Sequence, residues 1–213
     1  MAERRAALQT GSGRMDAVAT EIGLRRVVRR VAALNLGYFG IEFAVAVAIG
    51  SVSLFADSID FLEDASVNLL VMLGLGWSIR QRAKLGMALA LILLIPGIAT
   101  LWVAWEKFMV PVPPAPAALT LTGTGAMIVN FTCALMLARF RKHGGSLTRA
   151  AFLSARNDVL TNIAIILAGV VTAYLWSTAW PDLIVGLGIA AMNADAAREV
   201  WQAAREEHRS GSA

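Results

Sequence analysis

The chain has 213 residues, 57% of them hydrophobic and 16% charged, where soluble domains are nearer half apolar and about a quarter charged. With a mean hydropathy of +0.63, that balance excludes an ordinary soluble domain and points to a membrane protein before any motif is read. The net charge of +4 does not indicate nucleic acid, because the basic residues sit at the ends of apolar runs and not in one patch.

Residues 1–30 read as a basic cytoplasmic segment. Arg4, Arg5 and Arg14 are followed by no apolar core before Val31, so this is not a signal peptide and the first apolar run is a retained span. The stretch 24–33 has the pattern of a basic amphipathic helix, which predicts a topology anchor on anionic lipid. Six apolar stretches follow, at 31–49, 52–79, 85–105, 117–137, 150–176 and 182–193, the last running on toward Trp201. Most reach the roughly 20 residues that a crossing helix needs. In lipid every backbone polar group must be paired within its segment, which selects helices. The expected fold is an all-α integral membrane protein with six transmembrane helices. Its membrane domain spans 31–200, and 201–213 is a short cytoplasmic tail.

The joints agree with this division. Gly50 and Ser51 make a tight connection. Pro111, Pro113, Pro114 and Pro116 make a stiff loop, Gly144 and Gly145 a flexible one, and 177–181 a short link. Pro96–Gly97 predicts a kink in the third helix. Arg25, Arg26, Arg29 and Arg30 precede the first span. Arg80, Arg82 and Lys84 join the second and third. Arg139, Arg141, Lys142 and Arg149 join the fourth and fifth, and Arg198, Arg205 and Arg209 follow the sixth. The opposite loops carry only Lys107. The positive-inside rule therefore predicts both termini in the cytoplasm of a cell (inner) membrane protein. Trp102, Trp105, Trp176 and Trp180 gather on the other side, as an interfacial belt should.

The second span holds residues that lipid disfavours: Asp57, Asp60, Glu63 and Asp64. Each charge at mid-bilayer costs on the order of 3 kcal/mol, so a metal cation, a water-filled cavity or protonation must compensate. At about 100° per residue, Asp57, Asp60, Asp64 and Asn68 fall within one stripe of about 80°, and Glu63 flanks it by about 60°. Such a row presents several oxygens to one point. The fifth span repeats the pattern with Ser154 and Asp158, continued by Thr161 and Asn162, and the first adds Asn35 and Glu42 on one face. Facing pairs at i and i+4 on two helices are how bundles build four-ligand metal sites. Arg156 points about 160° away from Asp158 on a helical wheel. It reads either as snorkelling to the interface or as an ion pair with Glu63 or Glu42. Cys133 excludes a disulfide framework within the chain and reads as a small core residue.

The run GSVSLFADSIDFLED, Gly50 to Asp64, resembles the second-span signature of the cation diffusion facilitator family, with Asp60 and Asp64 as its four-spaced ligand pair. LNLGYFGIEFAVAVAIG resembles that family's first span, RAAFLSARNDVLTN its fifth and PDLIVGLGIAAMNADA its sixth. The resemblance implies a homodimer with six helices per protomer and a metal site between the second and fifth spans: Asp60, Asp64, Asp158 and, where the family usually has histidine, Ser154. Asp57, Glu63, Asn68, Glu42 and Asn162 would line the pathway. It also implies export of a divalent cation in exchange for protons, with no prosthetic group. Zinc ranks first, and cadmium, cobalt, iron and manganese stay open because an oxygen-only site favours harder ions. The chain stops before the cytoplasmic metal-binding domain usual in the family, so dimerisation is expected through small residues in the membrane such as Gly86, Gly123 and Gly125. The single His143 does not make the histidine-rich loop of some members.

Two rival readings remain at this stage. One is a non-transporting, metal-binding or regulatory relative, favoured by Ser154 and Arg156. The other is a proton or monovalent-ion pathway. An enzyme is not supported, since no nucleophile–base pair, phosphate loop or intramembrane histidine is present.

Overall fold

The structure, a computed structural model, describes residues 2–74, 97–138, 140 and 145–210. These form six helices and, among the described residues, no strand. They are α1 (Ala2–Ile49), α2 (Val52–Gly74), α3 (described over 97–109), α4 (Pro116–Ala138), α5 (Gly145–Tyr174) and α6 (Trp180–Ser210). Arg80, Arg82 and Lys84, Gly86, Pro96, Arg139, Arg141, Lys142, His143 and Gly144 lie outside the described residues.

The helix starts follow local chemistry. Pro116 opens α4, and Pro181 sits in the first turn of α6, where a missing N–H leaves no helical bond unmade. Gly50 ends α1 with a positive φ of 62°, which glycine adopts without a Cβ clash. Ser51 then caps α2, its hydroxyl accepting from the Leu54 N–H at 3.2 Å.

The bundle has the reverse polarity of a soluble one. The buried face of α4 carries Thr122, Gly123, Ala126, Asn130, Cys133 and Ala134, small or polar groups set between Leu119 and Leu137. Its exposed face carries Leu121, Ile128, Phe131 and Leu135. On α1, Asn35 and Glu42 are buried while Leu36, Ile41 and Val47 face outward. A soluble helix turns its apolar stripe inward; this arrangement suits lipid outside and polar groups packed within. The stretches Ile22–Ile49, Pro116–Ala138 and Ser154–Tyr174 are each long and apolar enough to cross a membrane. Trp102, Trp105, Trp176 and Trp180 are all exposed at one end, with Phe108 stacked on Trp105 and edge-on to Trp180. Arg25, Arg26, Arg29 and Arg30 are exposed toward the other end of α1.

Two expectations are corrected here. The stretch 24–33 is helical, but it is part of the unbroken α1 and its apolar face does not meet lipid. Leu24, Val27, Val28 and Val31 are buried with Cys133, Ala134, Leu137 and Phe140 and with Ala155 of α5. Those larger groups complete a protein-internal seam, and Cys133 lies in it as a buried core residue. Gly123 and Gly125 are also spent inside the protomer. A Cβ on Gly123 would stand 3.0 Å from Ile165 of α5, and one on Gly125 would collide with the Tyr38 hydroxyl of α1. They let α4 approach its own neighbours, so they are not free to form a dimer seam.

The tryptophan end is clamped around the α1–α2 turn. Lys107 of α3 donates to the Gly50 carbonyl at 2.6 Å. Asp182 of α6 accepts from the Ser51 and Ser53 hydroxyls at 2.7 and 2.6 Å and from the Val52 and Ser53 N–H groups at 2.8 and 3.2 Å. One turn further, Gly186 lies directly on α2: an added Cβ would meet the Val52 carbonyl carbon at 2.7 Å and the Ser53 nitrogen at 2.8 Å. Backbone atoms cannot step aside as a flexible side chain can. Gly186→Ala is therefore expected to destabilise the bundle by about 1–3 kcal/mol, read as a lowered melting midpoint in detergent; an unchanged midpoint would show that α6 slides freely on α2.

Candidate metal centre

The acidic row of α2 faces the bundle interior, as its spacing predicts. Asp57, Asp64 and Asn68 are buried, while Asp60 and Glu63 are partly exposed. The row divides into two layers. Asp57 and Asp64 are seven residues apart, which separates the layers by about 10 Å along the helix.

The layer nearer the arginine-bearing end of α1 is centred on Asp64. The Ser154 hydroxyl of α5 donates to its Oδ1 at 2.9 Å. The Asn35 amide of α1 donates to its Oδ2 at a long 3.4 Å, and the Cys133 thiol of α4 leans on Asn35 Oδ1 at 3.6 Å. The Asp158 carboxyl lies within hydrogen-bonding reach of Asp64. Asp64, Ser154 and Asp158 thus meet where α2 faces α5, with Asp60 one turn away from Asp64 along α2. Asn68 donates to the Asp64 carbonyl at 2.7 Å, which ties it to the same layer, and its Oδ1 receives no hydrogen bond. Among the described residues, no three Asp, Glu, His or Cys side chains form a ready metal cage. The Asp64 oxygens are turned instead to Ser154 and Asn35.

The layer nearer the tryptophan end is centred on Asp57. Asn162 of α5 donates to Asp57 Oδ2 at 2.5 Å, and Asn130 of α4 donates to Asn162 Oδ1 at 3.1 Å. Glu42 of α1 is fully buried, and its carboxyl lies within reach of that of Asp57. No donor reaches either Glu42 oxygen or Asp57 Oδ1.

These residues sit inside a longer match. The cation efflux transmembrane domain matches residues 28–206. The chain belongs to the cation diffusion facilitator family. No curated protein matches it. As a cation diffusion facilitator it is a membrane-embedded cation transporter, of a family of transporters and not of enzymes.

Of the two readings of Arg156 in this cation diffusion facilitator, the structure fits the one without an ion pair to Glu63 or Glu42. Arg156 is exposed and donates to Asn157 at 3.3 Å. Its position on α5, turned from Asp158, places it outside the acidic interior, and the structure joins it to neither Glu63 nor Glu42. Asn130 and Tyr38 belong to the polar interior without a motif that marks them in the sequence. Tyr38 donates to the Thr122 carbonyl at 2.6 Å and stacks obliquely on Phe61 at 5.1 Å. A lone asparagine in the apolar fourth run was the one signal for Asn130.

Proposed function

We propose that the protein exports a divalent metal cation, zinc first among the candidates, in exchange for protons, with Asp60, Asp64 and Asp158 as principal ligands and Ser154 as the fourth. The observation that carries this reading is the meeting of Asp64, Ser154 and Asp158 between α2 and α5 within a cation efflux domain. The ligands would turn from their present hydrogen-bond partners to the cation. Carboxyl groups must give up protons to bind a metal and can regain them on its release, so aspartates alone couple the two fluxes. Glu42, Asp57, Asn68 and Asn162 continue the polar path across the bundle, and Glu63 flanks its entry.

The exposed arginines at one end and tryptophans at the other support an inner-membrane orientation with both termini cytoplasmic. The protein works as a homodimer through a surface that Gly123 and Gly125 do not supply. A panel of zinc, cadmium, cobalt, ferrous and manganous ions, assayed in proteoliposomes under an imposed pH gradient, tests the reading. Metal uptake that rises with the gradient supports it; flux indifferent to the gradient removes the proton exchange.

A second reading is favoured by the absence of a ready three-ligand cage among the described residues: a metal-binding relative that does not transport. Metal binding without flux in the same vesicles would select it.

The identity of the fourth ligand decides selectivity. Ser154→His places an imidazole beside Asp64, where borderline ions gain more than hard ones. The expected result is a zinc-to-manganese preference raised by about tenfold or more, equivalent to roughly 1.4 kcal/mol. An unchanged ratio takes residue 154 out of the ligand set.

A further inference from the structure

The Asp57 layer has a feature that a merely structural network would not need. Asn130 fixes the Asn162 amide by donating to its carbonyl, and Asn162 in turn donates to Asp57 Oδ2. That chain ends satisfied. Beyond it stand Glu42 Oε1, Glu42 Oε2 and Asp57 Oδ1, all buried and all without a hydrogen-bond donor. A buried polar group left unpaired costs about 1–3 kcal/mol, and more when charged. Two carboxyl groups in contact in a low-dielectric interior cannot both carry charge unless a cation stands between them; without one they share a proton. Among the described residues, no Lys or Arg forms an ion pair there. Lys107, which is buried, is engaged with the Gly50 carbonyl at the tryptophan end.

We propose that Glu42 and Asp57 form a second divalent-cation station, distinct from the one at Asp60, Asp64 and Asp158 and lying toward the tryptophan end of the path. This deepens the transport reading, on which it rests. The three free oxygens come from two helices, α1 and α2, and two carboxylates balance a doubly charged ion. An all-oxygen set of this kind suits hard or borderline divalent ions. Asn162 holds the Asp57 carboxylate so that only one of its oxygens is occupied, and Asn130 keeps Asn162 in that orientation. The station lies about 10 Å along α2 from Asp64, so an ion leaving the first station finds oxygen ligands one or two turns further on.

The test is equilibrium binding to the purified full chain in detergent, with zinc counted by radiotracer and manganous ion by electron paramagnetic resonance. Wild-type protein is expected to bind two ions per protomer. Glu42→Gln, which keeps the side-chain shape, is expected to lose one of them, and Asp57→Asn at the same station should lose the same one. Asp60→Asn combined with Asp64→Asn should lose the other. One ion per protomer, kept in Glu42→Gln and Asp57→Asn but lost in the Asp60–Asp64 variant, overturns the second station and leaves the first. One ion lost in Glu42→Gln and kept in the Asp60–Asp64 variant supports the second station and overturns the first. Binding unchanged in both Glu42→Gln and Asp57→Asn, or no binding by the wild type, overturns the proposal.

Discussion

Asp64→Ala is expected to abolish metal flux in proteoliposomes, by about 100-fold or more, while the protein remains folded. Outer-shell partners of metal ligands already cost roughly 10–100-fold when removed, and Asp64 is placed as a ligand itself. It is touched from two other helices, by Asn35 of α1 and by Ser154 and Asp158 of α5, and Asn35 is itself held by Cys133 of α4. Alanine leaves Ser154 and Asn35 without their acceptor, a loss of about 1–3 kcal/mol, but it also removes a buried carboxyl, so the net effect on folding is small. Asp64→Asn separates the two effects further, since it preserves an acceptor for Ser154 and removes the charge. Both variants should elute as folded protein and both should fail to transport. Arg156→Ala is the natural comparison, because its side chain is exposed and donates to Asn157, away from the acidic row. Wild-type flux in well-folded Asp64→Ala would sink the assignment of the centre.

The acidic stripe was legible because one number decides it: about 100° per residue puts Asp57, Asp60, Asp64 and Asn68 on one face whatever surrounds them. The pairing of Ser154 with Asp64 was legible only through the family pattern, since helical periodicity says nothing about which helix faces which. The division of the row into two layers was not legible. It depends on Glu42 and Asn162 standing at the height of Asp57, which is set by the packing of α1 and α5 on α2. Asn130 shows the same limit, for a single asparagine has no period and its role appears only once α4 lies against α5. Periodicity placed Arg156 correctly opposite Asp158 but could not supply its partner. The 24–33 stretch failed for a different reason. An apolar helical face has the same sequence pattern whether it meets lipid or protein, and here Cys133, Leu137 and Phe140 cover it. Gly123 and Gly125 announced a close helix approach, and only the fold could say that the partners are α5 and α1 of the same chain.

Asp182→Ala should be the most destabilising single change in the described fold, by about 3–5 kcal/mol, as for a buried polar or ionic group stripped of its partner. Asp182 begins α6 in sequence but acts on α2. Its two oxygens accept from two backbone N–H groups at the start of α2 and from the hydroxyls of Ser51 and Ser53. Those N–H groups are among the four that any helix leaves unpaired at its N-terminus, and all the donors are buried. The carboxylate also stands where the helix dipole favours negative charge. Alanine removes every one of these acceptors at once and offers no water in exchange. Asp182→Asn retains one acceptor oxygen but turns an NH2 toward N–H groups, so it should fall between alanine and wild type. The melting midpoint in detergent is the measurement, with Gly186→Ala as a neighbour that disturbs the same contact by crowding. A wild-type midpoint in Asp182→Ala would mean that Ser51 alone caps α2 through its own hydroxyl. The expected loss has a functional consequence, because α2 is anchored at this end and carries Asp57, Asp60 and Asp64 along its length. Loosening the clamp at Ser51 lets the helix rotate or slide, which moves both layers of carboxylates relative to α5 together. Residual Asp182→Ala protein, assayed below its melting point, should therefore show weakened metal affinity although Asp182 touches none of the proposed ligands.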